Sequence, residues 1–206
     1  IDQEFTTSGE AESGFLPGGV GWYRKSFVVP EKYKDKQLMV EFDGAYMNAE
    51  VYLNGKKLGD HPYGYTAFAF DLTDGLICDG KTENVLVVKT NNQIPSSRWY
   101  SGSGIYRDVT LTVTDDVHVG YNGTQIIAQD LEANKNGTVE VDITTTVEND
   151  SDTTKTVTVK NTLLDENGKV ASNTTTSQVE IAADSVQDIE QSVNVEKPEL
   201  WLSLIH

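Results

Sequence analysis

One cysteine, three histidines and three arginines are all that 206 residues carry of the side chains that most often do covalent, metal or anion chemistry. Cys78 has no partner, so an intrachain disulfide is excluded. Beside Ile77 it reads as a small packed residue rather than a nucleophile. His61, His118 and His206 are scattered, and no His, Cys and carboxylate spacing reads as a zinc site. No metal and no cofactor is therefore expected. A phosphate-cradling glycine motif and a nucleophile-elbow serine are both missing. No apolar run approaches the ~18 residues of a membrane-spanning helix. Basic residues are few, 16 against 32 acidic, for a net charge of −16. Such a surface repels phosphate backbones and offers no basic patch to an anionic bilayer, so neither nucleic acid nor membrane is expected as a partner. The excess acid serves solubility.

What is present is enough apolar material for a core, 37% of the chain, in a length that holds one large or two ordinary domains. The two halves differ. Of 18 aromatic residues, 16 precede His118, and Arg24, Arg98 and Arg107 all lie in the first half. From residue 119 onward 15 acidic residues face 5 basic ones among Thr-rich runs. Two composition regimes predict two domains with a seam in "DDVHVGY", residues 115–121.

Nearly every segment has the period of a strand. "AEVYLNG" sets Ala49, Val51 and Leu53 against Glu50 and Tyr52 and then turns at Asn54-Gly55. "QLMVEFDG", "NVLVVKT" and "IYRDVTLTV" are β-branched or aromatic runs that stop at turn residues. "WYRKSFVVP" exits at Pro30. In the second half "TVEVDITTTVEN" puts Val139, Val141, Ile143 and Val147 on one face. "KTVTVKNTLLDENGKVA" reads as strand, Asn167-Gly168 turn, strand, and "SVQDIEQSVNV" offers Val186, Ile189, Val193 and Val195. No amphipathic helix of useful length interrupts them. The fold class is all-β: a jelly-roll-like sandwich over residues 1–117, then a smaller immunoglobulin-like sandwich over 118–206 with no disulfide.

Three stretches carry candidate chemistry. In "SRWYSGSGIYRDVTL", residues 97–111, Trp99 and Tyr100 precede a loop that Gly102 and Gly104 keep tight. An aromatic face beside the Arg98 guanidinium suits a sugar, whose C–H face stacks on a ring while its hydroxyls meet donors. The same pattern fits a core tryptophan and paired arginines. Arg107, further along the strand, is expected in a structural ion pair. In "GVGWYRKSF" the alternation turns Trp22, Arg24 and Ser26 one way and Tyr23, Lys25 and Phe27 the other. Packing is expected there, with Arg24 lying across the sheet or ion-paired. "DHPYGYTAFAFDLTDGL" clusters Tyr63, Tyr65, Phe68 and Phe70; the alternation of Phe68 and Phe70 reads as core and Pro62 and Gly64 as turn, and the tyrosines could line a groove, with stacked core aromatics the default. Acids are too many for any pairing of them to single out a catalytic carboxylate couple. "NGT" at Asn122 and Asn136 matches a glycosylation sequon and reads as turn.

"GGVGWYRKSFVVP", "FDGAYMNAEVYLNGKKLGDHPYGYTAFAFDLT" and "NNQIPSSRWYSGSGIYRDVTL", in that order across residues 18–111, together resemble the N-terminal sugar-binding domain of glycoside hydrolase family 2, with the β-galactosidase branch nearest. The second half resembles the immunoglobulin-like domain that follows in that family, and "KPELW" its closing segment. The resemblance implies a galactoside substrate, a retaining mechanism, and two catalytic glutamates in a (β/α)₈ barrel of the same polypeptide. Such a barrel takes roughly 250 residues, so no catalytic residue is expected within these 206 and the chain alone is expected to be inactive. It further implies that the first domain shapes a wall of the substrate pocket, with Asn91, Ser97, Arg98 and Trp99 as the substrate-binding candidates. Association into homo-oligomers is another expectation. The aspartate that in some members meets a sodium ion has no counterpart in "NNQIPSSRWY". A stand-alone carbohydrate-binding module and a structural or adhesive sandwich pair are the alternatives, and the compartment, bacterial cytoplasm or exterior, stays open.

Overall fold

Alternating burial along each strand builds the molecule. The computed structural model describes residues 5–7, 10–11, 14–15, 17–93, 102–176, 178–198 and 200. The chain divides into two units, residues 1–115 and 116–206. The first holds β1 (Gly19–Val28), β2 (Gln37–Phe42), β3 (Ala45–Tyr46), β4 (Ala49–Leu53), β5 (Lys56–His61), β6 (Phe68–Asp71), β7 (Glu83–Asn92), β8 (Gly104–Ile105) and β9 (Val109–Thr114). All pair antiparallel, as a four-stranded sheet β1-β7-β4-β5, a three-stranded sheet β6-β2-β9 and the short pair β3-β8. Leu38, Val40 and Phe42 of β2 meet Ala49, Val51 and Leu53 of β4 and Leu86 and Val88 of β7 in one core, with Phe68 stacked on Phe42 at 4.9 Å between ring centroids. The Asn54-Gly55 turn forms as expected, both residues at positive φ (49° and 84°), the geometry a two-residue hairpin needs.

"IYRDVTLTV" is not one strand. It breaks into β8 and β9 because the two parts serve different partners, β3 and β2. The bend between them is fixed by Tyr106 N–H on the Gly44 carbonyl (3.2 Å) and Asp43 N–H on the Asp108 carbonyl (3.0 Å). Arg107 thus falls in the bend, exposed, with its guanidinium 5.4 Å from the Tyr106 ring centroid and no carboxylate partner among the described residues. Arg24 is likewise exposed and pairs with no described carboxylate. Trp22, expected to pack, is 61% exposed on the outer face of the four-stranded sheet. There Lys89 stands opposite both Trp22 and Glu50. Its Nζ bonds Glu50 Oε1 at 2.6 Å and lies 5.8 Å from the Trp22 ring, while the Tyr52 hydroxyl donates to Glu50 Oε2 at 2.6 Å.

The second unit holds β10 (Val117–Ala128), a four-residue helix α1 (Leu131–Asn134), β11 (Thr138–Asn149), β12 (Lys155–Val157), β13 (Lys160–Leu164), β14 (Val170–Thr175), β15 (Val179–Ile181) and β16 (Ser185–Glu196). A three-stranded antiparallel sheet β10-β11-β16 is accompanied by the pairs β12-β15 and β13-β14. β11 buries Val139, Val141, Ile143 and Val147 as its pattern predicts, and Thr145 and Asn149 with them. β16 contributes Ile189 and Val193, whereas Val186 points outward at 63% exposure. The core is in two parts. Val139, Val141, Ile143 and Val193 form one cluster and Val147, Ile181 and Ile189 another. Between them runs a polar layer, with Asn161 Nδ2 donating to Thr145 Oγ1 (3.3 Å) and to Gln191 Oε1 (2.8 Å). Both units are β-sandwiches, and among the described residues no helix is long and apolar enough to cross a membrane.

Among the described residues each unit contains one fully buried asparagine. Asn84 Oδ1 accepts from Ile77 N–H (2.8 Å) and Asn54 Nδ2 (2.9 Å), and its Nδ2 donates to the Ile77 carbonyl (2.9 Å). Asn149 Nδ2 faces the carbonyls of Thr153, Ile181 and Ala182 at 2.8–3.1 Å, and its Oδ1 accepts from the Ser151 N–H and hydroxyl. Asn149→Ala leaves those carbonyls unpaired and is expected to destabilise the second unit by about 2–4 kcal/mol, read as a lower urea midpoint at unchanged slope. A second expectation concerns pH. The Lys89 hydrogen bond, then that of Tyr52, holds the Glu50 carboxyl down at about 2 from an ordinary 4.5. A depressed carboxyl stabilises the folded state above its unfolded pKa and loses that contribution as pH falls. The stability gap between the native chain and Glu50→Gln should therefore be full above pH 4.5 and close as pH falls toward 2.

Candidate functional site

The two ends of the first sandwich differ in what they expose. At one end the β4–β5 turn borders an open groove lined by Leu53, Asn54, Leu58, Asp71 and Asp74. At the other, β7 terminates beside the loops that follow β3 and β5, and polar and aromatic groups converge. Asn91 donates its backbone N–H to the Met47 carbonyl (2.8 Å), and its own carbonyl accepts from Asn48 Nδ2 (2.9 Å). Asn48 holds a left-handed φ of 48°, which asparagine tolerates, and its N–H reaches the Pro62 carbonyl at 3.1 Å. That bond draws the 62–67 loop to the end of β7.

The loop carries an exposed aromatic group. Tyr63 and Tyr65 are 56% and 57% exposed, edge to face with centroids 5.7 Å apart. Tyr65 packs edge-on against the buried Tyr46 at 5.2 Å. The expectation of core aromatics holds for Phe68 and Phe70 and fails for these tyrosines, because the Pro62-Gly64 turn lifts them off the sheet. Gly64 is obligatory there: a Cβ would come within 2.2 Å of the Tyr46 ring. The Tyr106 hydroxyl donates to the Gly64 carbonyl at 2.8 Å and ties the loop to the bend after β8. On the sheet, Tyr23 lies against Gly104, whose φ of +95° and missing Cβ admit the tyrosine hydroxyl where a Cβ would stand 1.9 Å away. Below the tyrosines His61 stacks on Phe68 at 4.3 Å and meets Thr66 Oγ1 at 3.0 Å.

Of the four substrate-binding candidates, Asn91 is described. It stands half-buried at the end of β7 on the same face as Lys89. Its neighbour Asn92 turns inward, is buried, and donates from Nδ2 to Ser103 Oγ at 2.8 Å. Ser97, Arg98 and Trp99 lie outside the described residues; the Asn92–Ser103 bond joins the chain on either side of them. Sequence reasoning did not single out Asn48, whose only signal is an asparagine at a turn. Cys78 is half-buried, and burial followed by the Asp79 charge pushes its thiol up, away from nucleophilic use. The arrangement is suited to binding: exposed aromatic faces beside amide donors are what a sugar ring needs, and among the described residues no general acid and base face each other across it.

Comparison with known proteins agrees with this. A family model for the glycosyl hydrolases family 2 sugar binding domain matches residues 15–115, and a second family 2 model matches residues 124–203. The β-galactosidase BoGH2A of Bacteroides ovatus is 43% identical over 91% of this chain and 22% of its own length. A β-glucuronidase of Formosa agariphila is 29% identical over 89% of this chain and 20% of its own. The crystal structure of a glycosyl hydrolase family 2 member from Bacteroides cellulosilyticus superposes with a TM-score of 0.87 at 32% identity, over 98% of this chain and 25% of that one. The chain spans about a fifth to a quarter of the length of these relatives. With a sugar-binding sandwich followed by a second β-sandwich, both matched in order, the chain belongs to glycoside hydrolase family 2.

Proposed function

We propose that this chain is the non-catalytic amino-terminal portion of a retaining β-galactosidase that acts on terminal β-galactosides. The observation that carries the reading is the exposed Tyr63–Tyr65 pair gathered by hydrogen bonds to the end of β7, in a chain that both family 2 models match in sequence order. In this reading the first unit supplies one wall of the pocket. Asn91, Ser97, Arg98 and Trp99 touch the sugar from the strand end and the segment after it, and the second unit spaces that wall from a catalytic barrel further along the polypeptide. Arginine stays protonated and asparagine, serine and tryptophan do not titrate near neutrality, so these residues orient and bind rather than exchange protons. The chemistry itself is double displacement at the anomeric carbon by two carboxylic acids of the barrel, with net retention. The galactoside assignment rests on the higher identity to the β-galactosidase; a β-glucuronide is the competing substrate, and it differs by a carboxylate.

Nitrophenyl β-galactoside and β-glucuronide hydrolysis tests both parts. The longer polypeptide is expected to turn over the galactoside, and the 206-residue chain neither substrate; turnover by the purified chain alone would overturn the non-catalytic reading. In the longer polypeptide, Asn91→Ala and Arg98→Ala should each raise KM by roughly tenfold with a smaller change in kcat, the loss of a sugar hydrogen bond. Unchanged KM in both would remove these residues from the pocket. The exposed tyrosines also suit a stand-alone carbohydrate-binding module, and calorimetry with galactose and lactose separates the two. Saturable binding by the 206 residues favours the module, whereas part of a pocket lacks most polar contacts and should give little heat.

A further inference from the structure

A second constellation lies in the second unit, on three residues that none of the sugar chemistry uses. His118 of β10 stands directly opposite Glu148 of β11, with Nε2 3.6 Å from Glu148 Oε2. Its Nδ1 is 3.6 Å from Asp150 Oδ2. One ligand atom from each of the three can be chosen so that all lie within 4.8 Å of one another. At 3.6 Å neither carboxylate is hydrogen-bonded to the ring, and Nδ1 is a buried polar atom without a hydrogen-bond partner among the described residues. Buried imidazole nitrogens normally find one. Two ligands about 2.1 Å from one metal stand about 3.0–3.5 Å apart at octahedral to tetrahedral angles, so an ion at Nδ1 requires a small inward shift of Asp150 from 3.6 Å and a swing of the part-exposed Glu148 carboxylate, which here faces Nε2, toward the same nitrogen.

The frame around the three is built for convergence. β10 bulges between Val119 and Thr124, and within the bulge Gly120 leaves open the space beside Glu148, where a Cβ would meet Oε1 at 2.3 Å. Asp150 is placed by its backbone N–H on the Asp116 carbonyl (2.8 Å), next to Asn149 with its fully bonded side chain. Glu148 and Asp150 remain one third or more exposed, which gives an ion a way in. Two carboxylates against one imidazole leave net negative charge in a chain that already carries −16, and a divalent cation offsets it.

We infer that His118, Glu148 and Asp150 bind a divalent transition-metal ion of the zinc class, which clips the first strand of the second unit to its neighbour. One nitrogen and two carboxylate oxygens select zinc, manganese or cobalt over calcium and magnesium, which prefer all-oxygen shells. Water completes the coordination, and the site serves structure, since its ligands tie β10 to the end of β11.

Calorimetric titration of the chelator-stripped chain with Zn²⁺ alone tests this. One saturable site per chain is expected. His118→Ala, Glu148→Gln and Asp150→Asn should each weaken it by about tenfold or more. His61→Ala and His206→Ala should leave it unchanged. The Gln and Asn variants keep side-chain volume, so loss of binding with an unchanged circular dichroism spectrum reports the ligand and not the fold. Co²⁺ should give a visible absorption band that disappears in the same three variants. Absence of saturable Zn²⁺ uptake, equal uptake in the three variants, or full displacement of Zn²⁺ by equimolar Ca²⁺ would each overturn the assignment.

Discussion

A fully buried amide must place one acceptor and two donor hydrogens at once, and that requirement admits a single strand register. Asn84 at the start of β7 and Asn149 at the end of β11 meet it in the two units. A slip of one residue would turn each side chain to solvent and bring an apolar or charged neighbour into its place. The backbone groups it served, the Ile77 amide and carbonyl in one case and the Ile181 and Ala182 carbonyls in the other, would be stranded. Register then determines everything downstream of it. In β7 it sends Asn92 inward to Ser103 and leaves Asn91 outward beside Lys89. In β11 it sets Glu148 opposite His118.

The two cores are stabilised differently, and composition explains why. The first unit has aromatic residues to spend, so Phe42 and Phe68 fill one continuous apolar interior. The second has almost none, and its threonine-rich strands cannot fill the same width with hydrocarbon alone. A layer of Thr145, Asn161 and Gln191 crosses its interior and separates two small apolar clusters. Each contributes less burial than a phenylalanine would, but the amides specify which strand faces which, since a half-satisfied polar layer is worse than none.

How much was legible in the sequence follows from the range of the interactions. β4, β7 and β11 were readable because two-residue alternation is local, and the Asn54-Gly55 turn because its dihedrals are a property of the dipeptide. The break between β8 and β9 was not, because a change of partner strand leaves no mark on a run of β-branched residues. Tyr63 and Tyr65 have the composition of a core and the position of a loop, and only the Asn48–Pro62 bond and the Tyr106–Gly64 bond show where that loop is held. His118 could not be matched with Glu148 and Asp150 by spacing, since the three meet across strands and not along one. Of the candidate substrate contacts, the segment after β7 was located by resemblance, and the structure adds how its two flanks are joined.

In the proposed reading the tyrosine end is a binding wall, and a rigid sandwich suits that role. A loop that must present ring faces to a sugar cannot bury them, so it has to be ordered by its backbone. Here the ordering bonds run to main-chain carbonyls at Pro62, Gly64 and Asn91, on loops and a strand end that adjoin the core. The rings then settle where the backbone lacks a Cβ: Tyr46 against Gly64, Tyr106 against Gly44 and Tyr23 against Gly104. Each contact replaces a side chain that would otherwise separate ring from backbone. The aromatic surface is thereby set by steric exclusion and main-chain bonding: Tyr46 is buried and supports Tyr65, while the rings of Tyr63 and Tyr65 remain exposed. A surface made this way loses little conformational freedom on binding a sugar, because that freedom was given up when the sandwich folded.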